Sequence, residues 1–521
     1  MDHSKMDHSK MNHDMMPGMN HDMAGIPLWM AIAGMACIIV ISHLLLWRKD
    51  KYDTEKKSYF RFSLFRIRFF KKLVLQSWYP IFLQFIPVLL LFIIITSGLF
   101  GSPRKNIATV LTWGWWWVLL IFIILIAGKS FCSMCPWEAI SSIVSSLSLQ
   151  SRKKKIGYEL KWPSYLKNLY PAILLFVALT WLELGFEVTR SPELTAILAI
   201  IMTSMAVLSA IIFEKRAFCR YSCLVGRISG LYAMFSPVEL RSVSATVCKT
   251  CKGKECMNGS SNTASCPTNL YPGGLIENTY CTLCTECIRS CPNDNLTINF
   301  RSPATDLFSK SSFRLDESIL ALVLLSLTSF HGLTMTPLWT IMVNQTRLIA
   351  GVSYLISFTI LMALVIAIPF VLYLLTIFIS SVFIRIENVS IPLLFKAFAY
   401  PLIPVALFYH LAHNGMHFFA EATTIIPLLS DPAGLGWNLF NTIDYIPGQV
   451  VSQAVIWWIQ LGFIFTGHVY GVITADKISM RLFQNKNQGL KALVPQIVFM
   501  VIFSGISIWL IAQPMEMRTG M

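Results

Sequence analysis

Apolar residues recur along this chain in blocks far longer than the helices of a soluble core. Blocks long enough to cross roughly 30 Å of hydrocarbon at about 1.5 Å per helical residue fall at 26–47, 80–100, 108–127, 169–187, 193–213, 318–342, 350–380, 395–421, 449–475 and 492–512. The pattern predicts an all-α polytopic membrane protein of about ten transmembrane helices, with Gly332 and Pro337 interrupting the sixth. The first block reads as a retained anchor, because basic residues follow it and a small-residue cleavage site does not.

The polar intervals orient these spans. Residues 48–72 hold ten Lys and Arg, 129–167 contain the run Arg152, Lys153, Lys154, Lys155, and 214–316 are also basic. Residues 422–448 have neither Lys nor Arg, and 188–192 have only Arg190. Lys and Arg in short loops stay on the cytoplasmic side, so the pattern predicts a protein of the inner (cytoplasmic) membrane with both termini extracytoplasmic. The chain then divides into a tail (1–24), five spans (25–213), a cytoplasmic module (214–316) and five further spans (317–521).

Composition agrees: 55% of residues are apolar and 13% charged. The net charge of +15 belongs to loops beside spans and favours anionic lipid headgroups. It does not line one soluble face, as nucleic-acid binding would require.

The predicted module carries eight of the thirteen cysteines. They form two runs, Cys248-x2-Cys251-x4-Cys256-x9-Cys266-Pro267 and Cys281-x2-Cys284-x2-Cys287-x3-Cys291-Pro292. The second run has the bacterial ferredoxin spacing, in which three close thiolates hold one [4Fe–4S] cube and the fourth, before proline, ligates the other. Crossed ligation assigns Cys281, Cys284, Cys287 and Cys266 to one cluster, and Cys248, Cys251, Cys256 and Cys291 to its partner. Paired zinc knuckles also use four thiolates, but not this spacing. The module is therefore expected to be a small α+β ferredoxin-like insert with two [4Fe–4S] clusters.

The tail MDHSKMDHSKMNHDMMPGMNHDM interleaves His3, His8, His13 and His21 with Met1, Met6, Met11, Met15, Met16, Met19 and Met23. Thioether and imidazole together select copper, with methionine favouring Cu(I). Copper capture is the expected role.

Two further thiol pairs, Cys132/Cys135-Pro136 and Cys219/Cys223, follow the third and fifth blocks and suit a redox-active or metal-relaying role. Twin elements of this kind, each closing a span and followed by a two-cluster insert, resemble the NapH/NosR-type membrane polyferredoxins, which have CcoG-like cupric reductases as relatives. The resemblance covers about residues 80–315. It implies membrane electron transfer, either to Cu(II) or from quinol to an extracytoplasmic reductase. The first pair is one residue shorter than the family's Cys-x3-Cys-Pro, and the second has Leu224 in place of proline.

Beyond the resemblance, His410, His413 and His417 share one helix face, with His331 and His468 in other spans. Ionisable residues within spans mark functional positions. Counting rise per residue puts His331, His410, His413 and His417 in an outer level and His43 with His468 in an inner one. Such levels suit haem b, copper or a quinol pocket. Covalent haem is excluded, because no Cys-x-x-Cys-His occurs.

The expected function is transfer of electrons from a cytoplasmic donor or the quinol pool to an extracytoplasmic copper protein or reductase, with Cu(II) reduced to Cu(I). The topology is testable with a membrane-impermeant thiol reagent on intact cells. Ser4→Cys should gain label and Asn485→Cys should not; the opposite pattern would invert the assigned orientation.

Overall fold

A computed structural model describes residues 22–47, 60–76, 78–146, 158–260, 263–384 and 389–516. Most of the copper-tail residues, from His3 to His21, lie outside that set; Met23 is inside it and buried.

Among the described residues, nine helical stretches are long and apolar enough to cross a membrane. The helices named below, spans and shorter segments together, are α1 (Leu28–Trp47), α2 (Tyr79–Phe100), α3 (Trp117–Ala127), α4 (Pro136–Ser146), α5 (Tyr170–Gly185), α6 (Pro192–Ile212), α7 (Leu224–Tyr232), α8 (Leu315–Thr334), α9 (Tyr354–Ile384), α10 (Leu402–Glu421), α11 (Gln453–Leu482) and α12 (Lys486–Ile511). The count departs from the expected ten at α5, whose 16 residues reach only about 24 Å. The sixth block also ends early. Its helix stops at Thr334, and Pro337, which cannot continue it, starts a separate helix, Pro337–Ala350.

The bundle is assembled by close backbone approach. Gly467 and Gly471 lie one turn apart on α11, where an added Cβ would come within 2.7 Å of Phe408 and 2.8 Å of Val405 on α10. Small residues so spaced let two helices pack tightly without a water-driven hydrophobic effect.

Between α7 and α8 the chain leaves the bundle and builds the cysteine module. Its frame is an antiparallel sheet of three strands: β2 (Arg61–Ser63), after the first two-residue strand β1 (Asp22–Met23), then β3 (Val238–Ser242) and β4 (Leu296–Arg301) in the order β2-β4-β3. Leu240 pairs with Ile298 in register, and Phe62 and Val238 flank Phe300 from either side. An ionic network fastens this sheet. Glu239 accepts from Arg61 at 2.9 Å and from the fully buried Arg301 at 2.9 Å, while Asp306 pairs with Arg301 and, at 3.2 Å, with Arg241. Asp306 also accepts the Asn278 amide N–H at 2.7 Å, which holds the segment leading into Cys281.

The module is tied to the bundle at Glu317, in the first turn of α8. This fully buried carboxylate accepts from Tyr280 at 2.7 Å, Tyr400 at 2.5 Å and Lys310 at 3.2 Å. Arg481, at the end of α11, donates to the Lys310 carbonyl at 2.9 Å, so α11 ends at the module and begins at the far end. Both described chain ends lie there: β1 pairs with β5 (Met515–Glu516), and Ala24 accepts from Trp457 near the start of α11.

Removing one partner of a buried ion pair leaves an uncompensated charge, at a cost of about 3–5 kcal/mol. Asp306→Ala should therefore lower the melting temperature of the detergent-solubilised protein and open the module's cysteines to maleimide. Unchanged thiol protection would show that the network does not hold the module.

Candidate metal centres

The eight cysteines of the module line two small apolar pockets. One is bounded by Cys266, Cys281, Cys284 and Cys287 with Leu240, Leu270 and Pro272. The other is bounded by Cys248, Cys251, Cys256 and Cys291 with Tyr271 and Leu296. Each pocket thus joins cysteines of both runs, with Cys266 and Cys291 crossing over. The pockets adjoin, since Cys256 lies within electrostatic reach of Cys287.

Local backbone geometry explains how so short a segment wraps two sites. Lys254, Asn269, Leu283, Thr285 and Asp294 all adopt positive φ, between 45° and 66°. Non-glycine residues rarely do so, and such strain clusters at functional sites. It turns donors toward sulfur: Leu270 N–H donates to Cys266 Sγ at 3.3 Å, and Asn295 donates its amide N–H to Cys291 at 3.4 Å and its Nδ2 to Cys248 at 3.2 Å. Burial, reinforced by Cys291, Cys248 and Cys251, pushes the Cys256 thiol up to about 11, and burial pushes Cys284 up to about 12. Free thiolates are therefore disfavoured in both pockets, whereas N–H donors aimed at sulfur suit thiolates bound to a cationic core. Among the described residues no three His, Cys, Asp or Glu side chains are grouped to hold a single metal ion. Four thiols lining each pocket are the donor set that an iron–sulfur cube takes; such cubes would be held by the two sets named above and would supply one-electron redox chemistry.

The two further thiol pairs are brought together beside the Cys281 pocket, the nearer of the two to the bundle. Cys135 and Cys223 are buried, and Cys132 and Cys219 are partly so. Arg216 pairs with Glu138, and Glu138 also stands 3.8 Å from Cys219. The sequence reading passed over the cations of this group, Lys129, Arg216 and Arg227. The available signal was spacing, with Lys129 three residues before Cys132 at the end of an apolar block and Arg227 four residues after Cys223.

Of the histidines, His331, His413 and His417 converge at the end of the bundle remote from the module. The rings of His331 and His413 are 6.5 Å apart, and those of His413 and His417 are 5.1 Å apart. His417 Nε2 is 3.3 Å from the sulfur of Met335, a residue the sequence reading did not single out, and its Nδ1 is 3.4 Å from Glu421. His410 instead meets Tyr232 at 3.5 Å and Trp117. His43 and His468 lie on neighbouring helices, but their rings have different partners. His43 is exposed beside Trp47, while His468 is buried between Ser42 at 2.7 Å and Ser504 at 2.9 Å.

Between the thiol pairs and the remote histidines lies a cavity of about 330 Å³, walled by Trp113, Trp116, Trp137 and Phe176 and reached by Glu183 and His331. A π-helical turn, Val110–Trp116, presents its tryptophans there. Size and apolar character suit a hydrophobic ring compound.

Comparison with known proteins adds distant, partial likenesses. Over 229 residues the chain is 26% identical to the "Putative electron transport protein YccM" of Escherichia coli K12, which takes in 39% of this chain and 60% of that protein. Over 182 residues it is 25% identical to an uncharacterized protein of Methanocaldococcus jannaschii, across 34% of this chain and 67% of the other. No protein-family profile and no solved structure matches the chain.

Crossed ligation has a distinguishing outcome. Cys291→Ser should alter the electron paramagnetic resonance signal that Cys248→Ser also alters, and Cys266→Ser should share its effect with Cys284→Ser. If Cys291→Ser instead groups with Cys284→Ser, each run holds its own cluster.

Proposed function

We propose that this chain is a membrane-integral iron–sulfur electron-transfer protein that carries single electrons from a cytoplasmic donor through two [4Fe–4S] clusters into the helix bundle, and that its terminal task is reduction of Cu(II) to Cu(I). The observation carrying this reading is the division of eight cysteines into two adjoining pockets of a module that is tied to the helix bundle through Tyr280 and Glu317. A site for single electrons beside hydrocarbon has its use in transfer across or into the membrane. The relative named for electron transport in Escherichia coli supports the same class of function.

Copper is favoured as acceptor by the Met- and His-rich tail and by the His417–Met335 pair, because a soft thioether beside imidazole stabilises Cu(I). Reduction is balanced by one electron per ion, passed on from the clusters. The quinol alternative has its own support in the apolar cavity, where Glu183 and His331 could take the two protons that a quinol releases with its two electrons.

Proteoliposomes with dithionite-reduced clusters separate the two. Copper reduction predicts Cu(I) appearing on the tail side, read by an impermeant chelator, and slowing at least tenfold in a variant lacking residues 1–23 at limiting copper. Quinol oxidation predicts that a short-chain menaquinol reduces the oxidised clusters and that Cu(II) does not reoxidise them. Clusters indifferent to both would end the proposal.

A further inference from the structure

We propose that Cys132, Cys135, Cys219 and Cys223 together hold a third iron–sulfur cluster, placed between the nearer cysteine pocket and the membrane cavity; this rests on the electron-transfer reading above.

The four thiols come from two loops more than eighty residues apart in sequence, yet Cys135 lies within electrostatic reach of Cys132 and Cys223, and Cys219 of Cys135 and Cys223. The loops are built alike. Cys135 immediately precedes α4 and Cys223 caps α7, where the Gly226 N–H donates to its sulfur at 3.4 Å and the Glu138 N–H does the same for Cys135. Two helix N-termini therefore converge on the site and aim backbone N–H donors at its sulfurs, the arrangement that metal-bound thiolates accept.

Two cations point to the missing charge. Lys129 is 1% exposed, and its Nζ has no hydrogen-bond partner in the structure. It lies within electrostatic reach of Cys132, Cys219 and Cys223. Arg227 is 3% exposed, donates to the Cys219 carbonyl at 3.0 Å, leaves its Nε without a partner, and acts on the same three thiols. An unpaired buried ammonium is costly. A cubane in its oxidised resting state with four thiolate ligands carries two net negative charges, which Lys129 and Arg227 would balance. Four protonated thiols would leave both cations uncompensated.

The location suits a relay. Lys129 also lies within electrostatic reach of Cys281 in the nearer pocket. At Gly230 a Cβ would fall 2.2 Å from the Thr279 carbonyl and 3.7 Å from Lys129 Nζ, so only glycine lets the cysteine module seat this close. On the other side, Phe131, Met134, Pro136, Trp137, Leu224 and Val225, which flank Cys132, Cys135 and Cys223 in sequence, wall the cavity. A centre here would accept one electron from the Cys281 cluster and release one to an acceptor in the membrane.

The test is metal and sulfide analysis of the full-length protein purified without oxygen, followed by a potentiometric titration. Three clusters predict about ten to twelve iron atoms per chain, against about eight for the module alone. A Cys135→Ser/Cys223→Ser double variant should fall to about eight and lose one redox component. Should that variant misfold, the wild-type count still decides, and Lys129→Met should keep its iron while titrating at a lower potential, because a cation that favours the reduced state is gone. About eight irons in the wild type, unchanged by the double variant, would overturn this inference and leave the two module clusters standing. Zinc retained by the four thiols would likewise overturn it, and absence of iron altogether would overturn the electron-transfer reading with it.

Discussion

Glu317 stands where an aqueous module meets a hydrocarbon-embedded bundle, and its carboxylate is shared by Tyr280 from the module, Tyr400 from the bundle and Lys310 between them. A charge this deeply buried persists only when its lone pairs are met by donors. Satisfying it fixes three segments at once. Tyr280 immediately precedes Cys281, so the position of the nearer cysteine pocket over the membrane helices depends on this one group. The ionic network around Asp306 does the same for the other end of that segment, through Asn278.

From this junction the redox candidates run in one direction. The pocket of Cys248 adjoins that of Cys281, which faces the four thiols of the two span-closing loops; beyond them lie the tryptophan-walled cavity and then His331, His413 and His417. Electron transfer falls steeply with distance, and about 30 Å of hydrocarbon is too wide for one step. A succession of short steps meets that constraint. The same region carries strained backbone around the cysteines and two buried cations, Lys129 and Arg227, each with a nitrogen that has no hydrogen-bond partner.

Much of this could be read from the sequence. Hydrocarbon demands long, internally hydrogen-bonded apolar segments, so span lengths were legible within a few residues, and the exceptions, α5 and the helix broken before Pro337, are places where length or proline chemistry decides. The grouping of the module's cysteines was legible because thiols close in sequence are held close by a short loop. A ferredoxin-like α+β frame is an expectation of the motif alone; the structure shows a three-stranded antiparallel sheet there.

Contacts between distant segments were decided only in three dimensions. That Cys132 and Cys135 meet Cys219 and Cys223, that Met335 joins His417, and that His468 is engaged by Ser42 and Ser504 all depend on how helices pack. Periodicity places a histidine on a helix face at a given depth. It does not say which helix that face meets, because lipid and a neighbouring apolar helix impose nearly the same pattern on the residues that face them.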